Sequence, residues 1–288
     1  MSNFPFDKCI SSKAGFERII QQVRDYRKQI KYSSEREYTE LFRGQGRDCW
    51  KLIPKIARKI KQVELLELTE RSMVTDFYDY MRKEDLLDAI SEGLNKRKFE
   101  KDWLLIQQAQ HYGLPTRFLD WSGKWEAALC FAVADERDDN CQGQFWIYLV
   151  PDDRWISDEY SNYLDEDPFE FDKTIFLNSS MTFSENALIQ IAQRRKGTQM
   201  GRFYIQPYSK LIIPLEEQNE HIPFLHKIII PAKSKKRIRE DLASEGITKD
   251  ALLVNEPIHQ KDKVRYKEIS DKVGIIVEKL SKKYGKTK

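Results

Sequence analysis

The sequence predicts a single mixed α+β domain, and three observations predict it. Apolar residues recur at helical spacing in several separate stretches, short alternating apolar runs stand between those stretches, and no repeat or low-complexity linker divides the 288 residues. With 15 Phe, 13 Tyr and 6 Trp the chain is too aromatic to be disordered. A chain of this length buries a sizeable core without disulfides.

Taken in order, residues 14–30 place Phe16, Ile19, Ile20, Val23 and Ile30 near helical spacing, the mark of an amphipathic helix. "YTELFRGQG" (38–46) is a short apolar run closed by two glycines, which reads as a strand entering a turn. A longer helix is expected over 62–90, with Leu66, Met73, Phe77 and Tyr80 on its buried stripe. "DWLLIQQAQHYG" (102–113) reads as a helix stopped by Gly113, after which Pro115 forces an extended entry into "TRFLDWS". "KWEAALCFAVADE" repeats apolar residues with helical period and is expected to be a core helix. Asn140 and Gly143 mark a turn before "QFWIYLV", whose alternation predicts a strand. The acidic stretch 151–172 shows no period and is expected to be a long surface loop, rich enough in Tyr and Phe to act as a lid over a pocket. "GRFYIQP" and "FLHKIIIP" read as strands, and Ser234 is placed to cap a helix that carries Ile238 and Leu242 and ends near Gly246. The expected division is a helical segment over 1–35, a main domain over 36–250, and an extension over 251–288 that ends in a frayed basic tail.

Charge and motifs exclude several classes. A net charge of +3 is too small for a chain that coats nucleic acid by bulk electrostatics. The four cysteines form no CxxC pair and fit a reducing cytoplasm, and no run of 18 apolar residues or signal-peptide core appears, so a cytoplasmic protein without a membrane partner is expected. The four histidines lack HExxH and paired Cys/His spacing, so no metal is expected. GxxxxGK[ST], GxSxG and a strand-to-helix GxGxxG are all missing.

What remains is a set of polar residues at strand-like positions. In "LFRGQ" (41–45), followed by "WKLIPKIAR" (50–58), Arg43 ends an apolar run and Gly44 permits close approach of a backbone or ligand. The planar guanidinium fork suits phosphate or carboxylate; the plainer reading is a structural arginine paired with a carboxylate such as Asp120. In "QHYGLPTRFLDWSGKWEAALCFAVA" (110–134), His111, Thr116, Arg117, Asp120, Trp121 and Ser122 crowd the segment before an apolar helix, a natural cradle for an anion. Capping of that helix explains either Asp120 or Ser122 but not the whole group. In "RRKGTQMGRFYIQP" (194–207), Gln199 precedes Gly201 and lies among Arg194, Arg195, Lys196 and Arg202; on this segment alone a solvated basic turn is the preferred reading.

These three segments, with the terminal "IIIPAKSKKRIREDLASEGI", resemble the FRG domain, named for its Phe-Arg-Gly. A weaker resemblance is to ADP-ribosyltransferases, which carry an "[FY]RG" on an early strand, a Ser/Thr motif leading into an "A..FA" helix, and a Glu or Gln near the last strands. Phe42-Arg43-Gly44, Asp120-Trp121-Ser122 before "EAALCFA", and Gln199 are similar to these in order. Here the second element holds one serine, and Gln199 stands where a catalytic Glu is usual, so Glu185 in "MTFSENA" competes for the acceptor-activating role.

The resemblance implies a split, transferase-like β core with flanking helices and NAD as co-substrate without a metal. It implies Arg43, Ser122 and Gln199 as catalytic residues, with Arg43, Gly44, His111, Tyr112, Thr116, Arg117, Asp120, Trp121 and Ser122 around the dinucleotide. Trp121 or Tyr112 would stack on nicotinamide. The family likeness further implies a toxin of bacterial phage defence, restrained by an antitoxin or chaperone, with RNA or protein as acceptor. Two other readings stay open: a non-catalytic module that binds a nucleotide or partner in the same pocket, and a nuclease-like enzyme in which His111, Asp120 and Glu126 converge.

Overall fold

A computed structural model describes residues 6–58, 60–86, 97–152, 162–178, 201–252 and 263–284. Helix α1 (Lys13–Ser34) is capped by Ser12, whose side chain accepts from the Gly15 N–H, and it buries Phe16, Ile19, Ile20 and Val23. Strand β1 (Tyr38–Gln45) follows, then a 3-10 turn at Ile56–Arg58, then α2 (Val63–Lys83) and α3 (Glu100–His111). Gly113, at a φ of +87°, ends the α3 segment as its position suggested. Strand β2 (Leu119–Ser122) leads into α4 (Trp125–Val133), and β3 (Gly143–Pro151) returns antiparallel to β1. Beyond them lie β4 (Ile175–Asn178), β5 (Gly201–Ile205), β6 (Leu225–Ile230), α5 (Lys235–Ser244), a short α6 (Lys249–Leu252) and α7 (Lys263–Tyr284).

The six strands form one antiparallel sheet in the order β4-β5-β2-β1-β3-β6. The ladders are continuous within β4-β5-β2 and within β1-β3-β6, but β1 and β2 share the single pair Phe42↔Ser122. The sheet is thus two three-stranded halves joined at a narrow seam. Along β1 successive side chains alternate between faces. Phe42 joins Phe145, Ile147 and Ile228 under α1, α4 and α5, whereas Leu41 joins Trp121, Trp146, Tyr148 and Tyr204 on the opposite face. The β2 half is covered by α2, α3 and α7, which pack Phe77, Trp103, Val273, Ile276 and Leu280 against Phe118, Leu177 and Ile205.

Several expectations change. The strand expected at "QFWIYLV" is present as β3, and all nine of its residues are buried, because helices cover one face while Leu52 and Leu215 cover the other. Strand β4 was not anticipated. The acidic segment is not a plain surface loop where it is described: Phe169 and Phe171 are buried in the helical core. Residues 153–161, which the lid expectation also covers, lie outside the described residues. The basic tail is helical through Tyr284, where Lys283 Nζ and Tyr284 Oη both reach Asp76 of α2 at 2.6 Å. Ser234 stands at the start of α5 but makes no side-chain cap. Helix α1, within the 1–35 segment, packs into the core of the β1 half.

Candidate functional site

The seam between the two half-sheets is where the sequence-selected residues meet. Arg43 follows Phe42, the β1 position paired with β2, and lies on the Leu41 face by alternation. Its Nη1 donates to the main-chain carbonyl of Asp120, at the point where β1 and β2 part. Its Nε is buried and has no hydrogen-bond partner among the described residues. Burial lowers the guanidinium pKa to about 10; the Asp120 carboxylate opposes that shift, and the nearby Arg58 adds to it.

Asp120 is reached by solvent at its tip and hemmed in by protein behind. Gln110 of α3 donates from Nε2 to its Oδ2 at 2.9 Å, and Gln110 is itself fixed by Thr116, which donates to its Oε1 at 2.5 Å. The Asp120 carboxyl pKa is raised, chiefly by desolvation, against the opposing pull of Arg43, Gln110 and Arg58. A carboxylate in the field of two guanidinium groups, with its proton held more tightly than usual, sets the local charge balance.

Trp121 lies next to the seam on the Arg43 face, edge-on to Tyr148 with ring centroids 5.4 Å apart. Its Nε1 is a second buried donor without a partner among the described residues. Behind this pair, His221 is held by Tyr148 Oη at Nδ1 (2.5 Å) and Tyr204 Oη at Nε2 (2.9 Å), and burial lowers its pKa to about 4, so it is neutral. Ser122, 7% exposed, donates from Oγ to the Lys124 carbonyl at 2.8 Å and accepts from the Lys124 N–H at 3.0 Å. It shapes the turn into α4 rather than capping it. Arg202 of β5 is paired with Trp121 across the ladder, and burial lowers its pKa as well.

Other selected residues have different work. Gly44 admits a helix, not a ligand: a Cβ there would fall on the Ala128 carbonyl of α4 and 2.8 Å from the Ala132 nitrogen. Arg117 is fully buried in the helical half. It donates to the carbonyls of Pro168 and Phe171, pairs with Glu70 at 3.7 Å and stacks its guanidinium 4.7 Å from the Tyr208 ring, so it is a core arginine rather than a dinucleotide contact. Thr116 is also buried and acts through Gln110. His111 and Tyr112 close α3, with rings edge-to-face at 5.3 Å, and Tyr112 packs on the helical core. Gln199, Glu185 and the basic run 194–196 lie outside the described residues. Among the described residues no group of three or more His, Cys, Asp or Glu is arranged to hold a metal, so His111, Asp120 and Glu126 form no such group. No described helix is long and apolar enough to cross a membrane.

Three contributors escaped sequence reasoning. Gln110 orients Asp120 from the quoted "QHYG" segment, and Arg58 closes the quoted "PKIAR". Glu70 anchors Arg117 from within the apolar stripe of α2, where a fully buried carboxylate at the i+4 position from Leu66 was the available signal.

Residues 39–141 match the FRG domain model, a shorter span than the 36–250 expected. The match contains Arg43, Arg58, Gln110, Asp120, Trp121 and Ser122, while strands β3 to β6, which complete the sheet, extend beyond it. No curated protein and no solved structure matches the chain.

Proposed function

We propose, from an FRG-domain stretch that brings Arg43 to the seam of a divided sheet, that this protein is an NAD-dependent ADP-ribosyltransferase. The observation that carries the reading is the pair of buried donors at the seam, Arg43 Nε and Trp121 Nε1, neither of which has an acceptor among the described residues. Buried donors are normally satisfied, and each left open costs on the order of 1–3 kcal/mol. A dinucleotide fits this donor set: a diphosphate supplies charged acceptors for the guanidinium fork, and an amide or phosphate oxygen suits the indole N–H. The division of the sheet between the strands that bear Arg43 and Ser122 supports the same reading.

NAD supplies the ADP-ribosyl group and nicotinamide as leaving group. Arg43 binds the diphosphate and fixes its register on β1. Trp121, held edge-on by Tyr148, presents its N–H from a rigid position. Ser122 keeps the turn into α4 in place and faces the ribose by exchanging its bond to the Lys124 carbonyl. The residue that activates the acceptor is Gln199 or Glu185. In bacterial phage defence such an enzyme acts as the toxin, restrained by an antitoxin or chaperone and directed at RNA or protein; that part of the proposal rests on the FRG likeness.

The test is incubation of the full chain with tagged NAD and a cell extract, with RNA and protein fractions separated afterwards. Wild type is expected to release nicotinamide and to label one fraction, and Arg43→Ala to do neither. Intact NAD with wild type overturns the transferase and leaves the nucleotide-binding module, which is then checked by ADP-ribose binding.

A further inference from the structure

We infer that Arg58 is a second anion-binding residue of this site, and that the ligand it takes together with Arg43 carries two adjacent negative charges, as a diphosphate does. The inference rests on the reading of Arg43 as an anion anchor but not on ADP-ribosyl transfer.

The 3-10 turn that ends in Arg58 is built for rigidity. Ile56 and Ala57 are buried with Ile53, Ile60, Leu66, Tyr208 and Leu211, so hydrophobic packing fixes the turn. The Ile56 N–H donates to the Thr116 carbonyl at 3.3 Å and Lys55 donates to the Gly113 carbonyl, which fastens the turn to the segment that carries Asp120. Arg58 uses Nε to brace its own turn, donating to the Ile53 carbonyl at 3.1 Å. Its two terminal nitrogens make no hydrogen bond or ion pair among the described residues, on an exposed side chain whose turn is fixed by packing.

Charge then points to a ligand. Arg43 and Arg58 repel one another, and the field of one carboxylate, Asp120, is shared between them. Oδ2 of that carboxylate is taken up by Gln110. Neither arginine forms an ion pair with an acid among the described residues, although both are partly withdrawn from water. Two like charges sharing one anion cost folding stability, and an incoming anion would offset that cost. A single phosphate meets one guanidinium fork well; a diphosphate can engage two.

The test is calorimetric titration of the full chain with inorganic pyrophosphate and with orthophosphate, for wild type, Arg58→Gln, Arg58→Lys and Arg43→Gln. Wild type is expected to prefer pyrophosphate. Arg58→Gln is expected to lose about ten- to hundred-fold in pyrophosphate affinity, the effect of one charge-assisted contact, while Arg58→Lys recovers part of it. Melting of each variant within a few degrees of wild type confirms that folding is intact. Pyrophosphate binding that Arg58→Gln leaves unaltered while Arg43→Gln weakens it overturns the inference, as does wild type that binds no pyrophosphate. Nicotinamide release by the same samples separates the two ideas: Arg58-dependent pyrophosphate binding without turnover discards the transferase and keeps the diphosphate site, and turnover indifferent to Arg58 does the reverse.

Discussion

The guanidinium of Arg43 donates to the main-chain carbonyl of Asp120, not to its carboxylate. Beyond Phe42↔Ser122 the ladder between β1 and β2 stops, and this side chain takes up a carbonyl that no neighbouring strand reaches. Arg43 therefore joins the two half-sheets while its Nε remains open toward the seam.

Arg43→Ala should separate chemistry from stability. The contact to a backbone carbonyl contributes about 1–3 kcal/mol, partly offset by relief of the buried charge. Melting is expected to shift by only a few degrees, while nicotinamide release falls by about a hundred-fold or more. A variant that unfolds at room temperature, or one that keeps its turnover, contradicts this assignment.

Asp120→Asn removes the negative charge beside both arginines and retains an acceptor for Gln110. Pyrophosphate should bind more tightly to this variant at neutral pH. In wild type the Asp120 carboxyl pKa is raised, so binding should strengthen as pH falls through it, and the variant should lack that component. The sign for stability follows: an acid whose folded pKa is raised favours folding below the unfolded value of about 4, and that contribution is lost as pH rises through the folded pKa. Titrations between pH 4.5 and pH 7.5 read both effects; parallel binding curves for the two proteins would remove Asp120 from the site's electrostatics.

His221 gives a pH dependence of the opposite sense. It is neutral between Tyr148 and Tyr204 with its pKa lowered to about 4, whereas in the unfolded chain it titrates near 6.5. The unfolded state takes up the proton first, so stability is lost as pH falls from about 6.5 toward 4. Between pH 7 and pH 5 this residue alone should remove about 2 kcal/mol, read as the difference in urea unfolding between wild type and His221→Gln. Equal pH slopes for the two proteins would show that His221 is not held neutral.

Glu70→Ala should be among the most damaging single changes away from the seam. Glu70 accepts from the Arg117 N–H at 2.6 Å and from Tyr208 Oη at 2.5 Å, and its loss strands a buried guanidinium. About 3–5 kcal/mol of destabilisation is expected by chemical unfolding. A loss below about 1 kcal/mol would mean that Arg117 finds another partner or water.

Much of the architecture was legible because it follows from strong local patterns. The helices over 14–30, 102–113 and 125–133 and the strands at 38–46 and 144–150 carry periodicities that tertiary context did not override. Strand β4 was not, since "IFLN" is four residues long and earns its place only by pairing with β5. Helix α7 hid behind its lysines, although Val273, Ile276 and Leu280 stand three and four apart. At the site the gathering of Arg43, Asp120, Trp121 and Ser122 could be read from chain order, but the separation of Arg117 from them could not. That separation depends on Glu70, 47 residues earlier in the sequence, and no local pattern joins the two.

The contact of Gly44 with Ala128 has a consequence for any attempt to reshape this protein by substitution. Three successive residues answer to three unrelated demands: Phe42 fills the core beneath the helices, Arg43 serves the opposite face, and Gly44 clears the backbone of α4. No change at one position can be compensated at the next, because each side chain meets different neighbours. Saturation mutagenesis of 42–44 should therefore find three adjacent intolerant sites that fail for separate reasons: loss of packing at the first, loss of function in a folded protein at the second, and displacement of a helix at the third. A redesign that moves Arg43 would have to rebuild the helix and the core together.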